Sequence, residues 1–111
     1  MTNTITTHKG TFYFSEPGNW VDSGGYPIYD KLHRIDGGPA LEYEDGTKYW
    51  FANGKIHRID GPAVEFTIGI KHWFVNGERI IDNLSFQKAA NLTDEDMNIL
   101  ILKYGKISGT H

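Results

Sequence analysis

The stretch His33-Arg-Ile-Asp-Gly-Gly-Pro-Ala-Leu-Glu-Tyr-Glu-Asp-Gly-Thr-Lys-Tyr-Trp-Phe-Ala-Asn-Gly-Lys-Ile56 is followed at once by His57-Arg-Ile-Asp-Gly-Pro-Ala-Val-Glu-Phe-Thr-Ile-Gly-Ile-Lys-His-Trp-Phe-Val-Asn-Gly-Glu-Arg-Ile80. These are two copies of one unit. Trp50 recurs at Trp73, Asn53 at Asn76, Gly54 at Gly77 and Pro39 at Pro62, each 23 residues on, whereas His33 recurs at His57 after 24. The extra residue is one glycine of the pair Gly37-Gly38. A period in the twenties signals stacked supersecondary units.

Each unit reads as β structure. Asp45-Gly46 and Asn53-Gly54 are dipeptides that favour two-residue hairpin turns, where both central residues need positive φ. The segments between them carry Tyr, Trp, Phe, Val and Ile, which suit strands. The run Ile-Asp-Gly-Pro-Ala links one unit to the next, with Gly permissive and Pro ending the preceding strand. A two-residue turn at Asp45-Gly46 sets Tyr43 opposite Lys48 and Leu41 opposite Trp50. One at Asn53-Gly54 sets Trp50 opposite His57. Alternation then collects Leu41, Tyr43, Trp50, His57 and Ile59 on one face, with Val64, Phe66, Trp73 and Ile80 from the second copy. The other face carries Ala40, Glu42, Tyr49, Phe51, Ile56 and Arg58, then Ala63, Glu65, His72, Phe74 and Ile81. The first face is the more apolar and is the expected core.

The repeat decays at both ends. After Asn76-Gly77, Ile80 and Ile81 stand where His and Arg are expected. Upstream, Gly10-Thr11-Phe12-Tyr13-Phe14 resembles Gly46-Thr47-Lys48-Tyr49-Trp50, and Trp20 followed by Gly24 repeats the tryptophan-to-glycine spacing. Residues 8–32 are therefore expected to be a degenerate copy with an insertion around Gly25 to Asp30. Residues 33–56 and 57–82 are the two clear copies, and residues 83–111 a helical cap within one domain. In that cap Thr93 is the expected N-cap, ahead of three acidic residues. Met97, Leu100, Ile101 and Tyr104 share a helical stripe, and Gly105 is the stop. Ser85 to Ala90 suggests a shorter helical turn. The fold class is mainly β: an antiparallel hairpin-repeat meander closed by a C-terminal helix.

Composition limits the function. Eleven Lys and Arg against fourteen Asp and Glu give a net charge of −3, which argues against a general polyanion binder and against nucleic acid as the partner. The absence of Cys removes disulfides, thiolate metal sites and a thiol nucleophile. The longest apolar run, Ile99 to Leu102, is far short of a membrane span. The start Met-Thr-Asn-Thr lacks the basic and apolar regions of a signal peptide. A soluble cytoplasmic chain with no membrane contact is expected. His8, His33, His57, His72 and His111 show no zinc spacing, no Ser lies in a nucleophile elbow, and no phosphate loop is present. Neither an enzyme, nor a cofactor, nor a metal is expected.

The His-Arg-x-Asp-Gly-Pro-Ala run followed by Trp-x-x-Asn-Gly-x-x-His-Arg resembles a repeat found in proteins of tailed phages and some bacteria, relatives of the MORN repeat. The resemblance rests on Trp50, Asn53, Gly54, His57 and Gly61, and on Trp73, Asn76 and Gly77. A MORN unit has Gly after its His where this chain has Arg34 and Arg58, so the phage-type repeat is the nearer match. It implies stacked β-hairpins and a non-enzymatic accessory protein that inhibits or modulates a host defence protein in the host cytoplasm.

The residues support several readings. His33, Asp36, Trp50, Asn53, Gly54, His57, Asp60, Pro62, Trp73, Asn76 and Gly77 recur with the unit and are expected to be structural. Arg34 and Arg58 are either anion hooks or members of local ion pairs, with Asp36 and Asp60 (or Glu42) as partners. Tyr49, Phe51, His72 and Phe74, with Tyr26 and Tyr29 from the insertion, are the candidate protein-binding surface, since aromatics with Arg enrich interfaces. Against this stands the reading that the C-terminal helix covers that row. A nucleotide-binding module using Arg34, Arg58 and the tryptophans is the alternative, and self-assembly into a homo-oligomer through open sheet edges is a third.

Overall fold

A computed structural model describes residues 3–107 of the chain. Its strands are β1 (Thr4–Thr7), β2 (Gly10–Tyr13), β3 (Leu41–Tyr43), β4 (Lys48–Tyr49), β5 (Phe51–Ala52), β6 (Lys55–Ile56), β7 (Val64–Glu65), β8 (Lys71–Val75) and β9 (Glu78–Ile80). A 3₁₀ turn spans Tyr29–Lys31, and two helices follow the strands, α1 (Asn83–Ala89) and α2 (Asp94–Tyr104). Seven strands form one antiparallel sheet in the order β1-β2-β3-β4-β7-β8-β9, and β5-β6 is a separate hairpin. The fold is thus mainly antiparallel β with helices at its C-terminal end. Residues 108–111 of the expected cap lie outside the described residues.

Asn53 and Asn76 take φ of 52° and 51°, and the glycines after them 79° and 83°. Two consecutive left-handed residues are what a two-residue hairpin turn demands. The resulting register pairs Phe51 with Ile56 and, one unit on, Phe74 with Arg79. Each turn is then fastened to the junction at which its own unit begins. The Asn53 amide donates to His33 Nδ1 at 3.0 Å, and the Asn76 amide to His57 Nδ1 at 2.9 Å. The Gly54 amide donates to the Leu32 carbonyl at 2.9 Å, and that of Gly77 to the Ile56 carbonyl at 2.8 Å. Both imidazoles act as acceptors at Nδ1, so each neutral ring carries its proton on Nε2. Each motif histidine therefore ties the start of its unit to that unit's own Asn-Gly turn, while the Leu32 and Ile56 carbonyls make the link from the preceding residues.

The Asp45-Gly46 turn differs from expectation. Leu41 faces Tyr49 and Glu42 faces Lys48, a three-residue loop in place of a two-residue one. Phe66 to Ile70 repeats it, with Val64 facing His72 and Glu65 facing Lys71. Only Gly46 and Gly69 are left-handed there, at 94° and 92°. A two-residue turn needs two such residues, and in the second copy Thr67 and Ile68 are β-branched and resist positive φ. The observed register also places Glu42, Lys48, Glu65 and Lys71 in direct succession across four strands, alternating in sign, which favours pairing. A one-residue slip moves a strand's side chains to the opposite face. Phe12, Leu41, Tyr43, Tyr49, Val64, Phe66 and His72 consequently share one face of the sheet, and the two-face division expected above is corrected. Ile59, expected in the core, is 46% exposed.

The degenerate copy is also placed differently. The Tyr13 amide donates to the Ala40 carbonyl as the Trp50 amide does to that of Ala63, both at 2.8 Å. The His33 and His57 amides donate back to the Tyr13 and Trp50 carbonyls. Tyr13, not Trp20 or Phe14, therefore holds the tryptophan position. Phe14 bridges Leu32 as Phe51 pairs with Ile56, so residues 15–31 replace the short Asn-Gly hairpin end. Trp20 belongs to that excursion, where its indole donates to the Glu16 carbonyl.

Two apolar clusters result. Phe12, Phe14, Leu32, Leu41 and Phe51 lie between the sheet and the excursion. Trp73, Val75, Ile80, Phe86, Met97, Leu100 and Ile107 lie between β8-β9 and the helices. Thr93 and Asp96 form a reciprocal capping box at the start of α2, and Asp82 caps α1 by accepting from the Ser85 amide. The helices occupy the side of Trp73 where another unit would stack.

Candidate functional site

Arg34 and Arg58 occupy equivalent places. Each guanidinium lies 3.9 Å from an aromatic centroid, Arg34 over Tyr13 and Arg58 over Trp50. Arg34 pairs with Asp36 and donates to the Pro39 carbonyl at 3.1 Å. Arg58 pairs with Asp60 at 2.8 Å and with Glu65, rather than Glu42, at 3.1 Å, and donates to the Pro62 carbonyl. The Arg34 guanidinium, and then the Gly38 amide, hold Asp36 below the ordinary carboxylate range. These arginines are stacked and hydrogen-bonded within the repeat, and their carboxylate partners oppose a second anion there. Trp50 is buried, with its indole donating to the Gly37 carbonyl at 3.0 Å.

A row of rings runs across the strands on the apolar face. Phe12 meets Tyr43 edge-on at 6.5 Å, Tyr43 meets Tyr49 at 6.0 Å, Tyr49 meets Phe66 at 6.4 Å, and Phe66 meets His72 at 5.6 Å. The Tyr43–Tyr49 contact of the first copy is the Phe66–His72 contact of the second. Such edge-to-face pairs add to simple burial. Tyr49 also meets Phe51 at 6.3 Å, and Phe51 stacks on Tyr29 at 6.1 Å. The hydroxyls of Tyr29 and Tyr43 share a hydrogen bond of 2.9 Å. Tyr29, Phe51, Tyr49 and Tyr43 thus form a closed circuit. They line an open depression of about 500 Å³, together with Gly54, Lys55, Ile56 and Gly77.

No family model, curated protein or solved structure matches the chain. Of the residues expected at a binding surface, Tyr29, Tyr49 and Phe51 come together. His72 joins through Phe66. Phe74 makes no ring contact with this group, and Tyr26 lies elsewhere, under Lys9 at 4.9 Å. Tyr43 is the member that sequence reading assigned to the core, because the two-residue turn put it on the wrong face. The alternative, that the C-terminal helix covers this row, is not what is seen: the helices pack on Trp73, Val75 and Ile80 and leave this circuit open. Among the described residues no three His, Asp or Glu side chains are placed to hold a metal ion, and no helix is long and apolar enough to cross a membrane.

Burial, and then the hydrogen bond shared with Tyr29, pushes the Tyr43 phenol well above its ordinary value of 10.0. Burial, then Tyr29 and Asp45, raises Tyr49 in the same direction. The fold favours the neutral phenols, so their contribution to stability is present below about pH 10 and is lost as pH rises through the folded values. An alkaline absorbance titration is expected to show phenols ionising late and together with unfolding, and Tyr43→Phe to remove part of that late step. All six tyrosines titrating together near pH 10 would contradict the burial.

Proposed function

We propose that the chain is a non-enzymatic protein-binding module whose contact surface is the aromatic depression of Tyr29, Tyr43, Tyr49 and Phe51. The observation that supports this is the uncovered circuit itself. Tyr29 is 48% exposed and Tyr43 and Tyr49 are half-buried, while Phe51 is the buried floor of the depression. Exposed tyrosine clusters on a rigid sheet present a large amphipathic area at low entropic cost, the character of interface hot spots. The resemblance of the repeat to phage-type proteins makes a host factor the partner to seek, with inhibition as the mode. Binding of an anion such as a nucleotide at Arg34 and Arg58 is disfavoured by the pairing of both with carboxylates.

The test is affinity purification from host cells with the full chain as bait, followed by affinity measurement on the captured protein. Tyr29→Ala is expected to weaken the complex about tenfold or more, with the chain still folded but its melting temperature modestly lowered, because the ring gives up its stacking on Phe51 and its hydrogen bond to Tyr43. A partner held equally by wild type and Tyr29→Ala would place the contact elsewhere.

A further inference from the structure

The tyrosine and tryptophan rings of this fold show a regular pattern. Tyr13 carries Arg34, Trp50 carries Arg58, Trp20 carries Lys31 at 4.7 Å, and Tyr26 carries Lys9. Tyr104 carries Lys103 at 5.3 Å and has Arg58 at 5.9 Å. Trp73 is buried against Phe86 and Tyr104. Among the described tyrosines only Tyr29, Tyr43 and Tyr49 carry no cation, and these three belong to one circuit. Lys55 lines the same depression, but its stem lies along Gly77 and its ammonium sits over none of the rings. Asp30 follows Tyr29 in the chain and Glu44 and Asp45 follow Tyr43, and none of these carboxylates has an ion-pair partner among the described residues.

We infer that the circuit of Tyr29, Tyr43, Tyr49 and Phe51 is a receptor for a cationic side chain, arginine or lysine, presented by the partner protein. This rests on the reading of the face as a protein-binding surface and names what that surface recognises. The faces of aromatic rings attract cations through their quadrupole, more strongly as the cation is desolvated. Tyr29, Tyr43 and Tyr49 all line the depression, so a group that enters it meets three tyrosine rings at once. The three unpaired carboxylates and the net charge of −3 favour approach of a basic partner.

The direct probe is N-acetyl-arginine methylamide, titrated into the full chain and followed by the ring-proton resonances of Tyr43 and Tyr49. N-acetyl-norleucine methylamide is the uncharged control of similar reach. Saturable shifts with the arginine probe and none with norleucine are expected. Tyr49→Leu should weaken the arginine probe about tenfold, while Tyr49→Phe, which keeps the ring, should stay within about twofold of wild type. Equal saturation by norleucine overturns the cation receptor and leaves an apolar contact surface in place. Absence of shifts with either probe also overturns it. The protein-binding reading fails by a different result, a captured partner held equally by wild type and Tyr29→Ala.

Discussion

Phe86→Ala is expected to lower stability by about 3–5 kcal/mol, the usual range for a fully buried phenylalanine. The ring is inaccessible to solvent and meets the Trp73 indole at 4.8 Å, nearly edge-on. Phe86 comes from α1, whereas the other buried residues around Trp73 come from α2, β8, β9 and, for Ile107, the segment after α2, so the truncation opens a cavity where several elements meet. A domain of this size has only about 5–15 kcal/mol in total, so the melting temperature should fall by on the order of 15 °C. Because the second cluster around Phe12 and Leu41 shares no residue with this one, the helical end should loosen first. A red shift of tryptophan emission should then precede loss of the β signal in circular dichroism. Leu102→Ala is the control: the side chain is 88% exposed on the same pair of helices and should change stability by less than about 0.5 kcal/mol. A Phe86→Ala variant as stable as that control would mean that the helices contribute little to the second repeat.

The second large effect separates two glycines that look identical in sequence. Gly54 and Gly77 both follow an asparagine, and both have φ near 80°. Any side chain there is strained by about 1–2 kcal/mol. At Gly77 nothing else opposes a Cβ, since the nearest atom is a Lys55 methylene 3.7 Å away. At Gly54 the Cβ would meet the Asp30 carbonyl oxygen at 2.6 Å, a backbone atom that cannot turn aside. Gly77→Ala should therefore lose about 1–2 kcal/mol by denaturant unfolding, and Gly54→Ala clearly more, by an additional 1 kcal/mol or greater. Equal losses at the two sites would show that the residue 15–31 excursion yields freely and does not pack as a fixed wall. The comparison also bears on the site, because the 3₁₀ turn pressed against Gly54 carries Tyr29.

Most of the architecture is legible in the residues. The spacing of Trp50 to Trp73 and of Asn53 to Asn76 announces stacked hairpins, and the Asn-Gly pairs carry their turn type in their own backbone preference. Thr93, the acidic triplet after it and Gly105 mark α2 for the same local reason. What fails is what depends on comparing copies. Asp45-Gly46 read alone favours a two-residue turn, but its counterpart Thr67-Ile68-Gly69 has a single residue suited to positive φ, and the two copies must turn alike. The succession of Glu42, Lys48, Glu65 and Lys71 carries the same information. Reading that register correctly would have brought Tyr43 to the aromatic face. The place of Tyr13 was hidden for another reason: residues 15–31 contain a tryptophan at a familiar spacing, and only strand pairing separates Trp20 from the series. The cation-free circuit was not legible at all, since Tyr29 reaches it from an excursion whose path no local rule specifies.

The imidazole junctions give the array a polarity and a terminus. Each junction, Leu32-His33 or Ile56-His57, joins the last residue of one unit to the first of the next and receives the Asn-Gly turn of the unit that begins there. The carbonyl that ends one stretch is needed by the turn of the next, so growth of such an array is head to tail and open. At the last unit Arg79 and Ile80 stand in the places of Ile56 and His57, and Ile80 turns into the apolar cluster beneath the helices. No ring nitrogen remains there to receive another amide. The number of modules is thus ended by the chemistry of one side chain, a histidine exchanged for an isoleucine, and the helices close a surface that has already lost its means of extension.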